Sequence, residues 1–389
     1  MGTDAAAPAG SGLTRREALA AGAAAWLGLR TGDAGAMVPR APLPVPMGRG
    51  IDLTPQGLRA PGSPQDYTVL RAQPWAAPLI DRMTHVRLWI DWTFVQPRGD
   101  LAIDDPANPG LPYLVSLDGQ IDAAVADGLQ VILLPWRYPR WVNHNAQRDG
   151  TRSPEWRLPD EGHGPYSHWA RWVDALWDRY AGRIAYFEVI NEPNLQMWPQ
   201  DGIAERVSFM MATVDAIARA HDRAVVCLGP SISDAESDRP WRITERRPFV
   251  ESLLPALRRR GFAGGDHWIW AFHNYNDCEL GGDRVGAMRA QLAGRWNGRR
   301  ADDGGPLVYA TEGGIRLSGV ERRYGRAFGP QRTRALQAEM LAGAVRQYAR
   351  SPGIGLFTQY TVQADPDYDC GLLEPDGTMR PAFSAYVSA

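Results

Sequence analysis

Two glutamates in this 389-residue chain end short runs of β-forming residues, and both could do acid–base or nucleophilic chemistry. Glu192 lies near the end of the run Ala185–Asn194 (AYFEVINEPN), where Pro193 cannot donate to a β-ladder and so ends the strand. Glu312 lies near the end of Leu307–Gly314 (LVYATEGG) and is followed by two glycines. A buried, ionised glutamate is costly unless it is paired, so a carboxylate at this place needs a reason. Strand capping is the structural alternative for Glu192 taken alone.

The order of the two glutamates along the chain indicates that they act as a pair. Room for two strand–helix units lies between them, so both would end strands at the edge where such folds place catalytic groups. Two carboxylates that face each other across a cleft are the machinery of glycoside hydrolysis. One of them must stay protonated near neutral pH and the other ionised, and their mutual repulsion helps to separate the two pKa values.

The elements that must position these glutamates follow from a regular alternation of strand and helix patterns. This alternation predicts a parallel sheet, and the length suits one barrel with insertions. We therefore predict an α/β fold, a single (β/α)8 TIM barrel with long βα loops. The eight strands are predicted at Gly48–Leu53, His85–Trp92, Gln130–Trp136, Ala185–Asn194, Ala224–Leu228, Trp268–Asn276, Leu307–Gly314 and Gly355–Val362.

Amphipathic segments between these strands predict the helices that surround the barrel. The helix predicted at Ser167–Tyr180 carries Trp169, Trp172 and Trp177 along one stripe, which favours core packing over sugar binding. The long segment 137–166 before it is too long for a plain connection and is predicted to form a wall of the substrate cleft. Further helices are predicted near Leu117–Gly128, Ala204–His221, Phe249–Arg259, Val285–Trp296 and Thr333–Arg350.

The motifs around the two glutamates resemble those of a known enzyme group. Asn191-Glu192-Pro193 at the end of one strand, and Thr311-Glu312-Gly313 three units later, resemble the clan A glycoside hydrolases, most of all the cellulase-type family 5 and its relatives. The resemblance implies that Glu192 is the acid/base and Glu312 the nucleophile. The implied activity is that of a retaining glycosidase, which cleaves a β-linked oligo- or polysaccharide by double displacement.

Four further residues acquire roles through this resemblance. Arg87 falls inside strand 2, where its guanidinium would bind the nucleophile and keep it ionised; a structural salt bridge is the alternative. Asn191 would bond the sugar 2-hydroxyl. His273 and Tyr275 match the His-x-Tyr of strand 6, so the tyrosine hydroxyl would contact the nucleophile and the histidine would orient the acid/base or the sugar.

Two places depart from the family pattern and leave the substrate open. The tryptophan that usually ends strand 8 is missing from Phe357–Tyr360, and strand 3 ends in Pro135-Trp136-Arg137 without the usual histidine. We hypothesise that Trp136 supplies the sugar platform and that Gln359 bonds a hydroxyl. A transglycosylase, a family 39-like exo-glycosidase and a catalytically inactive carbohydrate-binding barrel remain as alternatives. Seven scattered histidines offer no metal-ligand pattern, so we expect no metal and no cofactor.

Residues 1–36 are predicted to be an export signal. Arg15 and Arg16 precede the Ala-rich apolar run Ala18–Leu29, and Ala34–Ala36 offers a small-residue cleavage site. The arginine pair favours the twin-arginine route. A disordered tail with a chance arginine pair is the alternative.

The rest of the chain is predicted to divide into a Pro-rich spacer, 37–47, and a catalytic domain, 48–389. The apolar run is too short to anchor the chain, so we expect a secreted or periplasmic protein with no membrane association after signal removal. A formal net charge of −2 gives no basis for nucleic-acid binding. The expected partner is the saccharide substrate, and the oligomeric state stays open.

The three cysteines predict one disulfide at most. Cys227 lies inside an apolar strand and reads as an inert core thiol. Cys278 and Cys370 both follow strands on the same face of the predicted barrel. Because export favours oxidation, a Cys278–Cys370 disulfide is a hypothesis that depends on their distance.

Overall fold

A computed structural model describes the part of the chain that forms the barrel. It covers residues 47–54, 63–99, 101–142, 158–159, 167–195, 198, 201–221, 225–235, 244–325, 328–365 and 368–389. The predicted export signal and all of the predicted spacer except Met47 lie outside these residues. Most of the predicted cleft wall, 137–166, lies outside them too.

Eight parallel strands close into a barrel, which confirms the predicted fold. Neighbouring strands pair in chain order, β1 also pairs with β8, and β5 pairs with β6 to close the ring. A two-residue strand, Ile232–Ser233, also pairs with β6. The barrel strands are β1 (Gly48–Leu53), β2 (His85–Asp91), β3 (Gln130–Trp136), β4 (Tyr186–Glu188), β5 (Val226–Leu228), β6 (Trp268–His273), β7 (Val308–Gly313) and β8 (Ile354–Tyr360).

Helices connect the strands and cover the outside of the barrel. Among the described residues, short 3₁₀ turns occur at Pro74–Ala76 and Arg140–Val142. The described α-helices are α1 (Tyr67–Arg71), α2 (Ala77–Ile80), α3 (Trp92–Val95), α4 (Leu111–Ala126), α5 (His168–Tyr180), α6 (Ile203–Ala220), α7 (Arg246–Arg259), α8 (Tyr275–Leu280), α9 (Arg284–Leu292), α10 (Leu317–Tyr324), α11 (Pro330–Arg350) and α12 (Pro381–Ser388). Within the described residues, none of these helices combines the length and the apolar character that a bilayer crossing requires.

The strands are buried on both faces because each faces the helices on one side and the barrel interior on the other. On β3, Val131 and Leu133 join the core under the helices, whereas Ile132 joins a separate cluster inside the barrel. Inward-facing His85 lies 5.4 Å from the ring of Tyr186 and fills the barrel near the strand beginnings. The alternation then brings Arg87 of β2 into the interior one step further along.

Several element boundaries differ from the prediction for local reasons. Strand β2 ends at Asp91, because the Asp91 carboxylate accepts a hydrogen bond from Thr93 N at 3.0 Å and so starts helix α3. Strand β6 ends at His273 rather than Asn276, because Asn274 leaves the extended conformation and Tyr275 begins α8. The predicted position of Tyr275 on the same strand as His273 is therefore wrong, since Tyr275 lies on a helix.

The predicted Cys278–Cys370 disulfide is not formed. All three cysteines are buried and free. The two thiols lie in different surroundings: Cys278, on α8, is next to Asp277 and Asp234, whereas Cys370, after β8, is next to Arg316 and Glu312. Both cysteines follow strands, but their thiols are not within bonding distance. Cys278 lies on helix α8 and packs in the helix layer.

Candidate active site

Glu192 reaches the barrel mouth through an irregular segment that follows β4. Asn191 forms an isolated bridge with Ser231, and the backbone N of Glu192 donates to Ser231 O at 2.9 Å. Glu192 itself has a φ of 42°, a value that few non-glycine residues adopt. The chain therefore turns sharply at this residue, and the side chain is 10% exposed at the edge of the cleft.

Glu312 lies within β7, and both of its carboxylate oxygens have donors. The Tyr275 hydroxyl donates to Oε1 at 2.8 Å, and Arg87 Nη1 donates to Oε2 at 2.9 Å. The backbone carbonyl of Glu312 also accepts from Asn274 N at 3.2 Å, which fixes the start of α8 beside this strand. Two charged or polar donors on one carboxylate stabilise its ionised form.

The two glutamates lie close to each other, with His273 between them. One oxygen of each glutamate and one ring nitrogen of His273 all lie within 4.8 Å of one another. His273 Nδ1 is 2.9 Å from Glu192 Oε1 and 3.7 Å from Glu312 Oε2. This geometry places two carboxyl groups and one imidazole around a single point of the barrel mouth.

Arg87 lies inside the barrel beneath the two glutamates and binds several of the side chains there. Its guanidinium is fully buried and contacts three carboxylates: Glu188 at 2.7 and 3.2 Å, Glu312, and Asp52. Nη2 also donates to Asn191 Oδ1 at 2.7 Å. An arginine can serve so many acceptors because its five N–H donors form a rigid planar fork.

Burial and charge shift the pKa values in this cluster in different directions. Burial raises the pKa of Glu312; His273, Arg87 and Tyr275 act against this shift, while Glu192 adds to it. Arg87 thus acts in the predicted direction but is outweighed by burial. Burial lowers the pKa of His273, but Glu312 and Glu192 outweigh it, so the net pKa is raised. The two glutamates therefore favour the protonated form of His273, which lies between them.

Aromatic side chains surround the mouth on two sides. Trp136, which is half-buried, meets Trp89 edge-on at 4.7 Å and Trp198 edge-on at 6.0 Å. On the other side, the ring of Tyr360 at the end of β8 lies 6.3 Å from Tyr275. Aromatic faces of this kind are good platforms for sugar rings.

Gln359 is placed differently from the other predicted site residues. Its side chain is fully buried, and its amide nitrogen donates to Tyr360 O at 2.6 Å and to Cys370 O at 2.7 Å. Both donor hydrogens are thus used on the backbone that follows β8. This amide holds the C-terminal loop against the strand, and only its Oε1 atom has no hydrogen-bond partner among the described residues.

Several site residues went unnoticed in the sequence. Asp52 and Glu188 are acidic residues within buried β-runs, so the criterion that picked out Glu192 and Glu312 applies to them as well. Trp89 and Tyr360 lie two and one residues from predicted site residues. Whether Trp89 and Tyr360 reach the site depends on which face of its strand each side chain occupies, and a single sequence does not show this.

Two groups of side chains among the described residues are compact enough to reach a cation. Asp174, Asp178 and His221 lie on the outer helices, away from the mouth. The other group is Glu192, His273 and Glu312, but here the histidine nitrogen already binds Glu192, while Arg87 and Tyr275 take both Glu312 oxygens. The arrangement is therefore suited to proton transfer, and we assign no metal to it.

Comparison with known proteins agrees with this geometry. A family model described as Cellulase (glycosyl hydrolase family 5) matches residues 80–320. No curated protein matches the sequence.

Solved structures share the fold at low sequence identity. A monomeric beta-xylosidase from Caulobacter crescentus CB15 has 16% identity and a TM-score of 0.56, over 89% of this chain and 68% of that one. A GH5_18 enzyme from Streptomyces cattleya, in complex with GlcNAc, has 18% identity and a TM-score of 0.53, over 88% and 79%. A family 39 glycoside hydrolase from Bacteroides cellulosilyticus WH2 has 14% identity and a TM-score of 0.54; 88% of this chain spans only 63% of that enzyme. These likenesses show the fold alone.

Proposed function

Because the chain belongs to the cellulase family of glycoside hydrolases, glycosyl hydrolase family 5, we propose that it is a retaining glycosidase that cleaves β-linked oligo- or polysaccharides. The observation that carries this proposal is the close approach of Glu192 and Glu312, whose nearest oxygens lie within 4.8 Å. Carboxyl groups about 5–5.5 Å apart are typical of retaining enzymes, while inverting enzymes separate them by about 6.5–9.5 Å to admit a water. The observed spacing favours the retaining arrangement.

In the first step, a Glu312 oxygen attacks the anomeric carbon and the bond to the leaving oxygen breaks. Glu192 gives its proton to that oxygen, so the leaving group departs as an alcohol. The product is a glycosyl ester on Glu312. Arg87 and Tyr275 hold the attacking carboxylate in place, since each donates to one of its oxygens.

In the second step, water attacks the same carbon and the ester bond breaks. Glu192, now a carboxylate, takes the proton from the water, and Glu312 leaves as a carboxylate. The two displacements restore the original anomeric configuration. His273 lies within reach of both carboxylates, so its proton stabilises whichever one carries the negative charge.

The surroundings of the mouth support a saccharide substrate. Asn191 Oδ1 accepts a hydrogen bond from Arg87 Nη2, and this contact orients the amide. The amide NH2 group therefore points away from the guanidinium, where it would donate a hydrogen bond to a sugar 2-hydroxyl. Trp136 on one side and Tyr360 on the other provide aromatic surfaces. An inactive binding barrel is not favoured, because both glutamates and their hydrogen-bond partners are in place.

The test is the stereochemistry of the first product. Proton NMR of fresh hydrolysate, from a panel of β-glucans, mannans, xylans and aryl β-glycosides, should show the β-anomer before mutarotation. Inverted product from the wild-type enzyme would overturn the retaining mechanism. The lengths of the products, and any transfer to added alcohols, distinguish endo-hydrolysis from exo-hydrolysis and transglycosylation.

Two variants separate the roles of the glutamates. Glu312→Ala should lose both steps, and azide should rescue it only with inversion, since the anion attacks the opposite face. Glu192→Ala should still form the ester from substrates with good leaving groups, and azide should then give product with retained configuration. The reverse pattern would exchange the two assignments.

A further inference from the structure

One nitrogen of Arg87 serves two buried carboxylates. Glu188 occupies the edge formed by Nε and Nη2, at 2.7 and 3.2 Å. Nη1 then contacts both Glu312 Oε2, at 2.9 Å, and Asp52 Oδ2. Asp52 and Glu312 thus share the two hydrogens of Nη1. Three carboxylates face a single positive charge, so Asp52 and Glu312 compete for that charge.

Asp52 is held rigidly in this position. It is fully buried, its Oδ1 accepts from Trp89 Nε1 at 2.5 Å, and its backbone carbonyl accepts from Thr361 Oγ1 at 2.9 Å. In the sheet it lies opposite Arg87 of β2 and Tyr360 of β8. The two-step reaction described above gives the Asp52 carboxyl group no role, although Asp52 contacts Arg87.

The charged and titratable groups that face Asp52 come from three strands. Arg87 of β2 attracts its negative charge, whereas Glu312 of β7 repels it. Glu188 of β4 pairs with the other edge of Arg87. Tyr360 of β8 adds no charge near neutrality, because burial raises its pKa well above the ordinary value. His273 of β6 lies 3.7 Å from Glu312 Oε2, the same oxygen that Arg87 contacts.

We propose that Asp52 is a positioning residue whose proton sets the balance between the two half-reactions of Glu312. The inference rests on the proposed function, because it concerns the group assigned there as nucleophile. Protonated Asp52 leaves the charge of Arg87 to Glu312. Ionised Asp52 competes for Arg87 and places a second negative charge beside Glu312.

The two steps respond to this charge with opposite signs. Glu312 loses its negative charge when it forms the ester, so ionised Asp52 favours that step. Glu312 regains its charge when the ester is hydrolysed, so ionised Asp52 opposes that step. Burial raises the pKa of Asp52 to about 7, which places this change near neutral pH.

The experiment measures each step separately across pH. A 2-deoxy-2-fluoro β-glycoside with a dinitrophenolate leaving group traps Glu312 without needing a proton from Glu192. The trapping rate then reports ester formation, and the recovery of activity after removal of excess reagent reports ester hydrolysis. Wild type is compared with Asp52→Asn, which cannot ionise, and with Asp234→Asn. Asp234 is a matched control: it is also buried, burial raises its pKa to about 7, and it does not touch Arg87.

The ratio of variant to wild-type rates should depend on pH and on the step. At about pH 5, Asp52→Asn and wild type should agree within about twofold. At about pH 8 the variant should be trapped several-fold more slowly than wild type and should recover several-fold faster. Each change should amount to at most about tenfold. A change by one constant factor at all pH values, or the same change in Asp234→Asn, would overturn the proposal. Failure of wild type to be trapped on Glu312 would instead overturn the proposed function.

A second measurement uses the wild-type protein and does not depend on the folding of the variant. The indole N–H of Trp89 donates to Asp52, so its NMR signal, assigned with Trp89→Phe, should titrate near neutral pH. In the trapped enzyme the ester removes the charge of Glu312, and the midpoint should move to lower pH. No titration between about pH 5 and 9, or one midpoint in both forms, would contradict the proposal.

Discussion

At the scale of single residues, burial and hydrogen bonding act in opposite directions on the pKa of one carboxylate, Glu312. Glu312 is 5% exposed, and burial raises its pKa, while Arg87 and Tyr275 lower it through contacts at 2.9 and 2.8 Å. The nucleophile must be ionised to attack, so each donor that is lost should narrow the pH range of activity from the acid side.

Tyr275→Phe tests the hydroxyl contact. The phenol donates to Glu312 Oε1, and hydrogen bonds to charged groups contribute about 1.5–3 kcal/mol. We expect kcat/KM to fall by about tenfold to a hundredfold and its acidic limb to move to higher pH, since the ionised form loses a donor. Tyr348→Phe is the control, because its hydroxyl donates to Asp277 at 2.9 Å, a carboxylate outside the proposed catalytic group. An unchanged acidic limb in Tyr275→Phe would show that the hydroxyl does not act on the nucleophile.

Arg87→Lys tests the shared guanidinium. Lysine keeps the positive charge, but one ammonium group cannot reproduce the contacts to Asp52, Glu188 and Glu312. We expect kcat/KM at least about tenfold lower, with the acidic limb raised, in a pH–rate profile measured on folded protein. Arg380→Lys, a buried arginine paired with Glu374 at 2.8 Å, is the control. Full activity across pH would make Arg87 a purely structural residue.

At the scale of elements, buried tryptophans pack helices α3 and α5 against each other. The stripe predicted on α5 is buried, and Trp172 stacks on Trp92 of α3 with ring centroids 4.6 Å apart and planes within 8°. Helix α3 follows β2 directly, so this stack ties the strand that carries Arg87 to the layer outside it. The tryptophans of this helix thus belong to the core rather than to the sugar platform.

Trp172→Ala tests that contribution. Removing a buried tryptophan leaves a cavity and costs about 3–5 kcal/mol. We expect the free energy of unfolding in urea to fall by this amount, with kcat of the folded fraction changed by less than about twofold. Val115→Ala on α4, where Val115 is 57% exposed, should change it by less than about 0.5 kcal/mol. A tenfold loss of kcat with unchanged stability would place Trp172 in the substrate cleft instead.

At the scale of the whole molecule, barrel closure brings distant segments to one mouth. Parallel strands end at the same rim, so β1, β2, β4, β6 and β7 deliver Asp52, Arg87, Glu188, His273 and Glu312 to one cluster. This is the rim at which (β/α)8 barrels place their chemistry.

We also propose that the whole molecule is exported through the predicted twin-arginine-like segment, 1–36, and that the segment is then removed. Arg15 and Arg16 precede the apolar run, and Ala34–Ala36 follows it. Replacing both arginines with lysine should leave the protein in the cytoplasm in a fractionation experiment. Mass spectrometry of exported wild-type protein should find a new N-terminus after the small-residue site. Exported protein that still begins at Met1 would contradict removal, and unchanged export of the variant would contradict the route.

The sequence by itself determined the fold class and most of the strand positions. Strand β1 and β3 were predicted with the bounds that the structure has, because strand periodicity, apolar runs and Pro or Gly breaks are local properties of the chain. The same local rule singled out Glu192 and Glu312, since a carboxylate near the end of a buried strand is unusual wherever it occurs.

Only the tertiary structure decided which side chains share partners. Tyr275 begins a helix, although it was predicted to lie on strand 6. Cys278 and Cys370 do not form a disulfide. The Gln359 amide donates to backbone carbonyls instead of pointing its donors into the cleft. The division of one Arg87 nitrogen between Asp52 and Glu312 was equally hidden. Such contacts depend on the register of strands across a closed barrel and on side-chain rotamers, and neither is encoded in the spacing of residues along one strand.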